Sequence, residues 1–246
     1  MPSLRDALCA HQPSIVGSIT SQDALFQSFT TTDCDLIELR LDALGFDKKV
    51  LNFAKRHSET LPILITARGP EEGGLHQRTI PERIEAIETL LPFASALDIE
   101  LRAISELSAM WELAKQNDLI RIASFHNFQE LPPDDQIFST LDAMAKAEAD
   151  VAKIAFHLET EEDLNRLASL ARQWGKLPLS FMGMGELGPA SRVLAIASGS
   201  VLNYGYLGNE PTAPGQSPAK LLKQVLAHTP VPGGGNELTD PAKVDP

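Results

Sequence analysis

The chain has 246 residues, and its 33 acidic and 21 basic side chains give a formal net charge of −12. This charge argues against binding to nucleic acid or to an anionic membrane surface. A composition of 43% hydrophobic and 22% charged residues is typical of a soluble globular protein and excludes a mainly disordered chain.

The two cysteines, Cys9 and Cys34, are too few for a disulfide framework or a thiolate zinc site. No apolar run approaches the roughly 20 residues that a membrane-spanning helix needs, and the N-terminus lacks the long apolar stretch of a signal peptide. We therefore expect a cytoplasmic protein with no membrane role.

Short apolar runs of β-type composition recur along the chain and predict eight strands. They cover residues 14–19, 36–41, 62–66, 96–101, 119–125, 151–156, 177–182 and 200–204. Their starts are 22 to 34 residues apart, which leaves room each time for a crossover helix and two loops.

The segments between these runs read as helices. In 81–91, Ile84, Ile87 and Leu91 form one stripe, and Pro81 suits the first helical turn. Residues 161–171 show the same periodicity. For the last helix, we expect Ser217 to be the cap and Pro218 to be the first helical residue.

Eight strands alternating with helices predict an α/β chain, folded as a single-domain (β/α)8 TIM barrel over residues 1–229. A doubly wound open sheet of six strands is the alternative. Residues 230–246 begin with a run of Pro and Gly that cannot form a core, so we expect a flexible tail. The barrel predicts that functional residues lie at the C-terminal ends of the strands.

Polar and ionisable residues do lie in or just after the predicted strands. They are Glu38, Arg40, Asp42, Thr66, Arg68, Glu100, Arg102, Ser124, His126, Lys153, His157 and Asn203. The simpler interpretation of any one of them is a strand end that reaches solvent. Their recurrence at many strand ends favours a shared cavity.

Lys153 interrupts an otherwise apolar strand, where an ammonium group is costly unless it is paired or neutralised. A desolvated lysine near other cations loses its proton more easily and becomes a nucleophile towards carbonyl groups. The structural alternatives are a buried ion pair with a carboxylate and a side chain that reaches outward to solvent.

His126 follows the fifth predicted strand, and an imidazole can remove and return a proton near neutral pH. His157, after the lysine strand, is the chief rival. No spacing of His, Asp or Glu residues indicates a metal site.

Three glycine-containing loops are candidates for substrate binding. Residues 67–74 form either a substrate loop or an ordinary solvated turn, and residues 211–216 precede a helix N-terminus that favours an anion. Residues 183–188 match the dinucleotide pattern GxGxxG, with Glu210 further on. Their late position in the chain favours another use, in which Arg192 presents its guanidinium to a substrate carboxylate.

Six motifs in chain order together resemble type I 3-dehydroquinate dehydratase, over about residues 14–228. They are Glu38-Leu-Arg40-Leu-Asp42, Thr66-Ala-Arg68 with Glu71-Glu-Gly-Gly74, Ser124-Phe-His126-Asn-Phe128, Lys153-Ile-Ala155, Met184-Gly-Glu-Leu-Gly-Pro-Ala-Ser-Arg192 and Thr212-Ala-Pro-Gly-Gln216. The resemblance implies a (β/α)8 barrel, usually a homodimer, that converts 3-dehydroquinate to 3-dehydroshikimate in the shikimate pathway without a metal or organic cofactor.

The resemblance also implies a role for each matching residue. Lys153 resembles the lysine that forms an imine with the substrate, His126 the general acid and base, and Glu72 the carboxylate that orients the imidazole. The implied substrate-binding residues are Glu38, Arg40, Arg68, Met184, Arg192, Thr212 and Gln216. In the acidic protein, Arg40, Arg68, Lys153 and Arg192 are expected to form a basic cavity.

The sequence departs from the family pattern at three places without removing a chemical role. Thr212 replaces a frequent Ser, Asn127 replaces a frequent Asp, and Gly69-Pro70 lies at the base of the 67–74 loop. Three other functions stay open: an aldolase-type imine-forming lyase, a nicotinamide-dependent oxidoreductase that uses residues 183–188, and a non-catalytic protein that binds small anions.

Overall fold

The computed structural model describes residues 4–211 and 215–230. Its strands are β1 Ser14–Ile19, β2 Leu36–Arg40, β3 Ile63–Thr66, β4 Ala96–Glu100, β5 Ile120–Asn127, β6 Val151–His157, β7 Leu179–Met184 and β8 Leu202–Tyr206. The α-helices of the described ranges are α1 Leu4–Cys9, α2 Leu41–Leu44, α3 Lys48–His57, α4 Ile80–Leu90, α5 Ser108–Gln116, α6 Asp134–Lys146, α7 Glu161–Gln173, α8 Gly188–Ala197 and α9 Ala219–His228.

The eight strands form one parallel sheet in the order β7-β6-β5-β4-β3-β2-β1-β8. The edges β7 and β8 meet through hydrogen bonds from Val201 N to Leu179 O (3.0 Å) and from Ser180 Oγ to Leu202 O (2.6 Å). The sheet is therefore a nearly closed barrel, and the predicted (β/α)8 fold is confirmed.

The predicted strand positions hold within a few residues, with two informative differences. β5 and β6 continue through Asn127 and His157, so His126 lies within its strand rather than just after it. The expected cap of the last helix is wrong: Pro218 is the N-cap residue, it makes no side-chain cap bond, and the helix begins at Ala219.

The interior of the barrel has an apolar part at one end of its axis and a charged part further along. At the N-terminal end of the strands, buried apolar side chains such as Val16, Leu36, Leu64 and Ile122 form one cluster, which Leu8 of α1 joins. Buried charged side chains of β2, β4 and β6 lie further along the strands. The apolar layer is thus the floor of a charged site at the C-terminal end.

The domain boundary expected near residue 230 stays a prediction. The predicted tail, 230–246, lies outside the described residues except for Pro230.

The apolar floor gives a first prediction for stability. Leu64→Ala removes side-chain atoms that are fully buried, and we expect the free energy of unfolding to fall by about 2 to 5 kcal/mol. Urea denaturation of this variant beside Leu64→Met, which conserves volume and should cost less than about 1.5 kcal/mol, checks the expectation. Equal losses for the two variants would contradict it.

Candidate active site

A cavity of about 270 Å³ opens at the C-terminal end of the barrel strands. Residues from six strands, from the loops after β3 and β5, from α8 and from the turn before α9 surround it. The lining residues are Ser18, Glu38, Arg40, Arg68, Glu72, Gly73, Leu75, His126, Phe128, Lys153, Ala155, Met182, Met184, Arg192, Tyr204 and Gln216. The convergence expected from the strand ends is therefore found in part: of the twelve polar residues named above, the cavity lining includes Glu38, Arg40, Arg68, His126 and Lys153.

Lys153 of β6 is only 3% exposed, and its amine lies among compensating groups. Nζ is 2.9 Å from Asp98 Oδ2 and 3.9 Å from Glu38 Oε1. The same atom lies 3.8 Å from the centre of the Tyr204 ring, close enough for a cation–π interaction. An outward-reaching lysine is therefore wrong, and the ion-pair alternative is present in a residue that also lines the cavity.

Asp98 of β4 is the carboxylate on which this arrangement depends. Its Oδ1 accepts a hydrogen bond from Ser124 Oγ (2.6 Å) and lies 2.9 Å from Arg68 Nη2. Burial by itself raises the pKa of Asp98, but Arg68 and Lys153 outweigh burial and hold the pKa well below its usual range. Asp98 is therefore ionised at neutral pH.

Glu38 of β2 is the second carboxylate within 4.0 Å of the Lys153 amine. Its carboxylate accepts hydrogen bonds from Ser18 Oγ (2.5 Å) and Thr66 Oγ1 (2.9 Å). These two hydroxyl groups come from the neighbouring strand β1 and from β3 on the other side. Glu38 is thereby fixed in place and has little freedom to move away from Lys153.

His126 and Glu72 form a paired unit at the cavity wall. Glu72 Oε2 accepts a hydrogen bond from His126 N (2.9 Å) and lies 3.0 Å from His126 Nδ1. Burial, with help from the charges of Arg68 and Lys153, lowers the pKa of His126 well below its usual range. The imidazole is therefore neutral near pH 7.

The ionisation of Glu72 controls which imidazole nitrogen carries the proton. Burial raises the pKa of Glu72 to about 7, with Arg68 opposing the rise and Glu100 adding to it. An ionised Glu72 accepts from Nδ1–H, so we assign the lone pair to Nε2 of His126. A protonated Glu72 donates to Nδ1 instead and moves the imidazole proton to Nε2.

Arg192 of α8 is 2% exposed, and backbone carbonyl groups hold it. Nε donates to Tyr204 O (3.0 Å), and Nη1 donates to Gly183 O (3.0 Å) and Gly188 O (3.1 Å). No carboxylate of residues 4–211 and 215–230 lies within 4.0 Å of it. Burial lowers the pKa of Arg192 to about 10, so the guanidinium keeps its charge at neutral pH.

The glycine segment 183–188 therefore holds Arg192 through its carbonyl groups. Gly215 packs against this segment, and its φ of +71° is a conformation that favours glycine. A Cβ at residue 215 would lie 2.3 Å from Gly185 O, which only a backbone shift relieves. The 183–188 segment and the turn before α9 therefore pack so closely that residue 215 has no room for a side chain.

The structure brings together most of the site residues that the sequence indicated. Lys153, His126, Glu72, Glu38, Arg40, Arg68, Met184, Arg192 and Gln216 all line the cavity. Thr212 lies outside the described residues. The rival His157 is not among the lining residues, and Arg102 lines a neighbouring cavity instead.

Sequence reasoning missed Asp98, Ser18, Met182 and Tyr204. Asp98 carries the same signal as Lys153, a charged residue between apolar ones in a buried strand, so the sequence did contain an indication of its role. Tyr204 has no such signal because a tyrosine in a strand reads as ordinary core. Ser18 and Met182 are small or apolar and gain their meaning only from the cavity.

Comparison with known proteins adds to this geometry. The family model for type I 3-dehydroquinase matches residues 15–230. The chain belongs to the type I 3-dehydroquinase family. The resemblance in the six motifs is thereby confirmed at the level of the family, and the chain is an enzyme of that family.

Individual relatives agree with this assignment. The 3-dehydroquinate dehydratase of Methanocella arvoryzae is 32% identical over 204 residues, covering 83% of this chain and 91% of the relative. The corresponding protein of Methanosarcina acetivorans is 35% identical over 206 residues, covering 78% and 84%. The crystal structure of the Aquifex aeolicus 3-dehydroquinate dehydratase superposes with a TM-score of 0.72 at 30% identity, covering 86% and 96% of the two chains.

The described part of the chain offers neither a metal-binding cluster nor a membrane-spanning helix. No group of three or more His, Cys, Asp or Glu side chains there is arranged to hold a metal ion. Among the helices of the same residues, none has the length and hydropathy to cross a membrane.

The central position of Asp98 predicts a large cost for its removal. Asp98→Asn leaves the buried cations Arg68 and Lys153 without their closest carboxylate, and we expect the free energy of unfolding to fall by about 3 to 5 kcal/mol. Urea denaturation beside Asp142→Asn, which removes one partner of an exposed pair with Lys176 and should cost about 1 kcal/mol or less, measures the difference. Comparable losses would show that Asp98 does not hold the site together.

Proposed function

We propose that this chain catalyses the dehydration of 3-dehydroquinate to 3-dehydroshikimate and water, through an imine on Lys153, as a step of the shikimate pathway. One observation carries the proposal. A buried lysine amine opens on a cavity that also contains a histidine–carboxylate pair and an arginine without a carboxylate partner in the described residues. Family membership supports the same reaction.

Arg192 is proposed to bind the substrate carboxylate. Its buried charge has no carboxylate partner within the described chain, so an incoming anion gains the full interaction in a setting of low dielectric. Gln216 lines the same cavity and is proposed to assist. Thr212 keeps the role expected from the resemblance as a prediction.

Lys153 is proposed to attack the C3 carbonyl carbon of the substrate. A C–N bond forms, the carbonyl oxygen leaves as water after proton transfer, and the product is a protonated imine. Asp98 and Glu38, at 2.9 and 3.9 Å from Nζ, stabilise its positive charge. The protonated imine then withdraws electrons from the adjacent C2–H bond.

His126 is proposed to move the proton that makes elimination possible. Nε2 removes the C2 proton, and the electron pair of that bond passes into the imine to give an enamine. The enamine electrons then expel the C1 hydroxyl group, which leaves as water with the proton from His126. Addition of water to the imine finally releases the product and regenerates the Lys153 amine.

The remaining lining residues are proposed to hold the ring. Glu38 and Arg40 offer an acceptor and donors for ring hydroxyl groups, and Met184 supplies an apolar surface. Arg68 lies in the same wall, and two of its nitrogens already contact Asp98 and Ser124. The homodimer and the cytoplasmic location stay predictions.

Reductive trapping tests the imine. We expect incubation with 3-dehydroquinate and borohydride to add the mass of one reduced ligand to the peptide containing Lys153, measured by mass spectrometry after digestion. Lys153→Ala should lose the adduct and turnover, while Lys146→Ala, on α6, should keep both. An enzyme without an adduct, together with full turnover in Lys153→Ala, would overturn the proposal.

The pH dependence of kcat/KM tests the histidine–carboxylate pair. Because the pKa of Glu72 is raised to about 7, the ionised carboxylate that leaves a lone pair on Nε2 predominates only above that pH. We expect kcat/KM to fall about tenfold per pH unit on the acid side of pH 7. This dependence should be altered and activity reduced in Glu72→Gln, but not in Glu88→Gln, which changes an exposed residue of α4.

A further inference from the structure

Asp42 is a buried carboxylate next to the cavity that does not line it. It lies in α2, two residues after the end of β2, and its exposure is 0%. The residues that line the cavity do not include it. Any effect of Asp42 on the reaction must therefore pass through its neighbours.

The Asp42 carboxylate accepts four hydrogen bonds. Oδ1 accepts from Arg40 Nε (2.9 Å) and from the backbone N–H of Arg68 (3.4 Å). Oδ2 accepts from Arg40 Nη2 (2.8 Å) and from the backbone N–H of Leu75 (3.0 Å). An ionised carboxylate is the side-chain group with enough acceptor positions for this arrangement.

These bonds join three segments of the cavity rim. Arg40 is the last residue of β2, Arg68 follows β3, and Leu75 ends the segment 69–75 that contains Glu72. Arg40 adds a further connection because its Nη2 also donates to Gly73 O (3.1 Å). The far end of the segment is held by Glu100, which accepts from Gly69 N.

We propose that Asp42 is a positioning residue that acts through Arg40 and Glu72. The two-pronged contact fixes the Arg40 guanidinium at the cavity wall. The bond to Leu75 N fixes the end of segment 69–75, so that Glu72 reaches the imidazole of His126. The inference rests on the proposed function, in which Arg40 binds substrate and Glu72 orients the base.

Asp42→Asn is the decisive variant because its shape is nearly unchanged. An amide has one acceptor oxygen, and its NH2 group would face N–H donors of Arg40 or Leu75. We expect KM to rise through the freed Arg40 and kcat to fall through the displaced Glu72. A displacement of this kind lowers kcat/KM by about 10-fold to 100-fold.

The matched control is Asp47→Asn, the same change at the N-cap of α3. Asp47 is exposed and accepts from Lys49 N (2.8 Å) and Val50 N (3.2 Å), so it has a hydrogen-bonding role without access to the cavity. Its kcat and KM should stay within twofold of the parent enzyme. Urea denaturation of both variants separates loss of folded protein from loss of turnover.

A double-mutant cycle shows whether Asp42 acts through Glu72. In the Glu72→Gln background, Asp42→Asn should lower kcat by a much smaller factor than in the parent enzyme, because the group that it positions is already lost. A purely structural effect would lower kcat by the same factor in both backgrounds.

Leu75→Pro supplies a second variant if Asp42→Asn fails to fold. It removes the N–H that donates to Asp42 and leaves the carboxylate and Arg40 unchanged. We expect kcat to fall with KM nearly unchanged. In Leu75→Ala, which loses side-chain atoms at the cavity but keeps the N–H, kcat should fall by a smaller factor. Equal kcat values for the two Leu75 variants would overturn the part of the inference that concerns Glu72.

The outcomes separate the two proposals. If Glu72→Gln keeps full activity, the proposed role of Glu72 is wrong whatever Asp42 does. If Glu72→Gln is impaired while Asp42→Asn behaves like Asp47→Asn, the proposed function stands and the inference about Asp42 is wrong. Independent, multiplicative effects in the double-mutant cycle would also overturn it.

Discussion

The ion pair between Lys153 and Asp98 is the interaction on which the site depends. A buried ammonium group is expensive unless a carboxylate and further hydrogen bonds compensate it, and Asp98 lies 2.9 Å away with Ser124 and Arg68 on its other oxygen. One residue is thus shared by the lysine, the arginine and the hydroxyl group. The amine keeps a fixed position at the cavity because each partner is fixed in turn.

The four cations that line the cavity are not all compensated in the same way. The whole chain is acidic, with a formal charge of −12. Three of the four cations that line the cavity form ion pairs with carboxylates. Arg192 is held by carbonyl groups instead. Within the described residues, the basic cavity expected from the sequence therefore consists of three cations in ion pairs and one guanidinium without a carboxylate partner. Such a guanidinium suits the proposed binding of a single substrate carboxylate.

Much of this architecture could be predicted because parallel strands are buried on both faces and read as continuous apolar runs. A charged residue inside such a run stands out from its neighbours, as Lys153 does. Asp98 gives the same signal but lies two residues before Glu100 near a strand end, where acidic residues are normally taken for solvent-exposed ones. Tyr204 could not be recognised because its ring also suits an ordinary core position.

The sequence by itself determined the number of strands, the end of the barrel that carries the chemistry and the chemical groups available there. Tertiary structure alone decided which groups meet. Lys153 and Asp98 are 55 residues apart, and the strand β5 lies between their strands. Alternation along a strand determines the face of the sheet on which a residue lies. Which residues of neighbouring strands lie at the same level along the barrel axis depends on the register between the strands, and closure of the barrel sets that register.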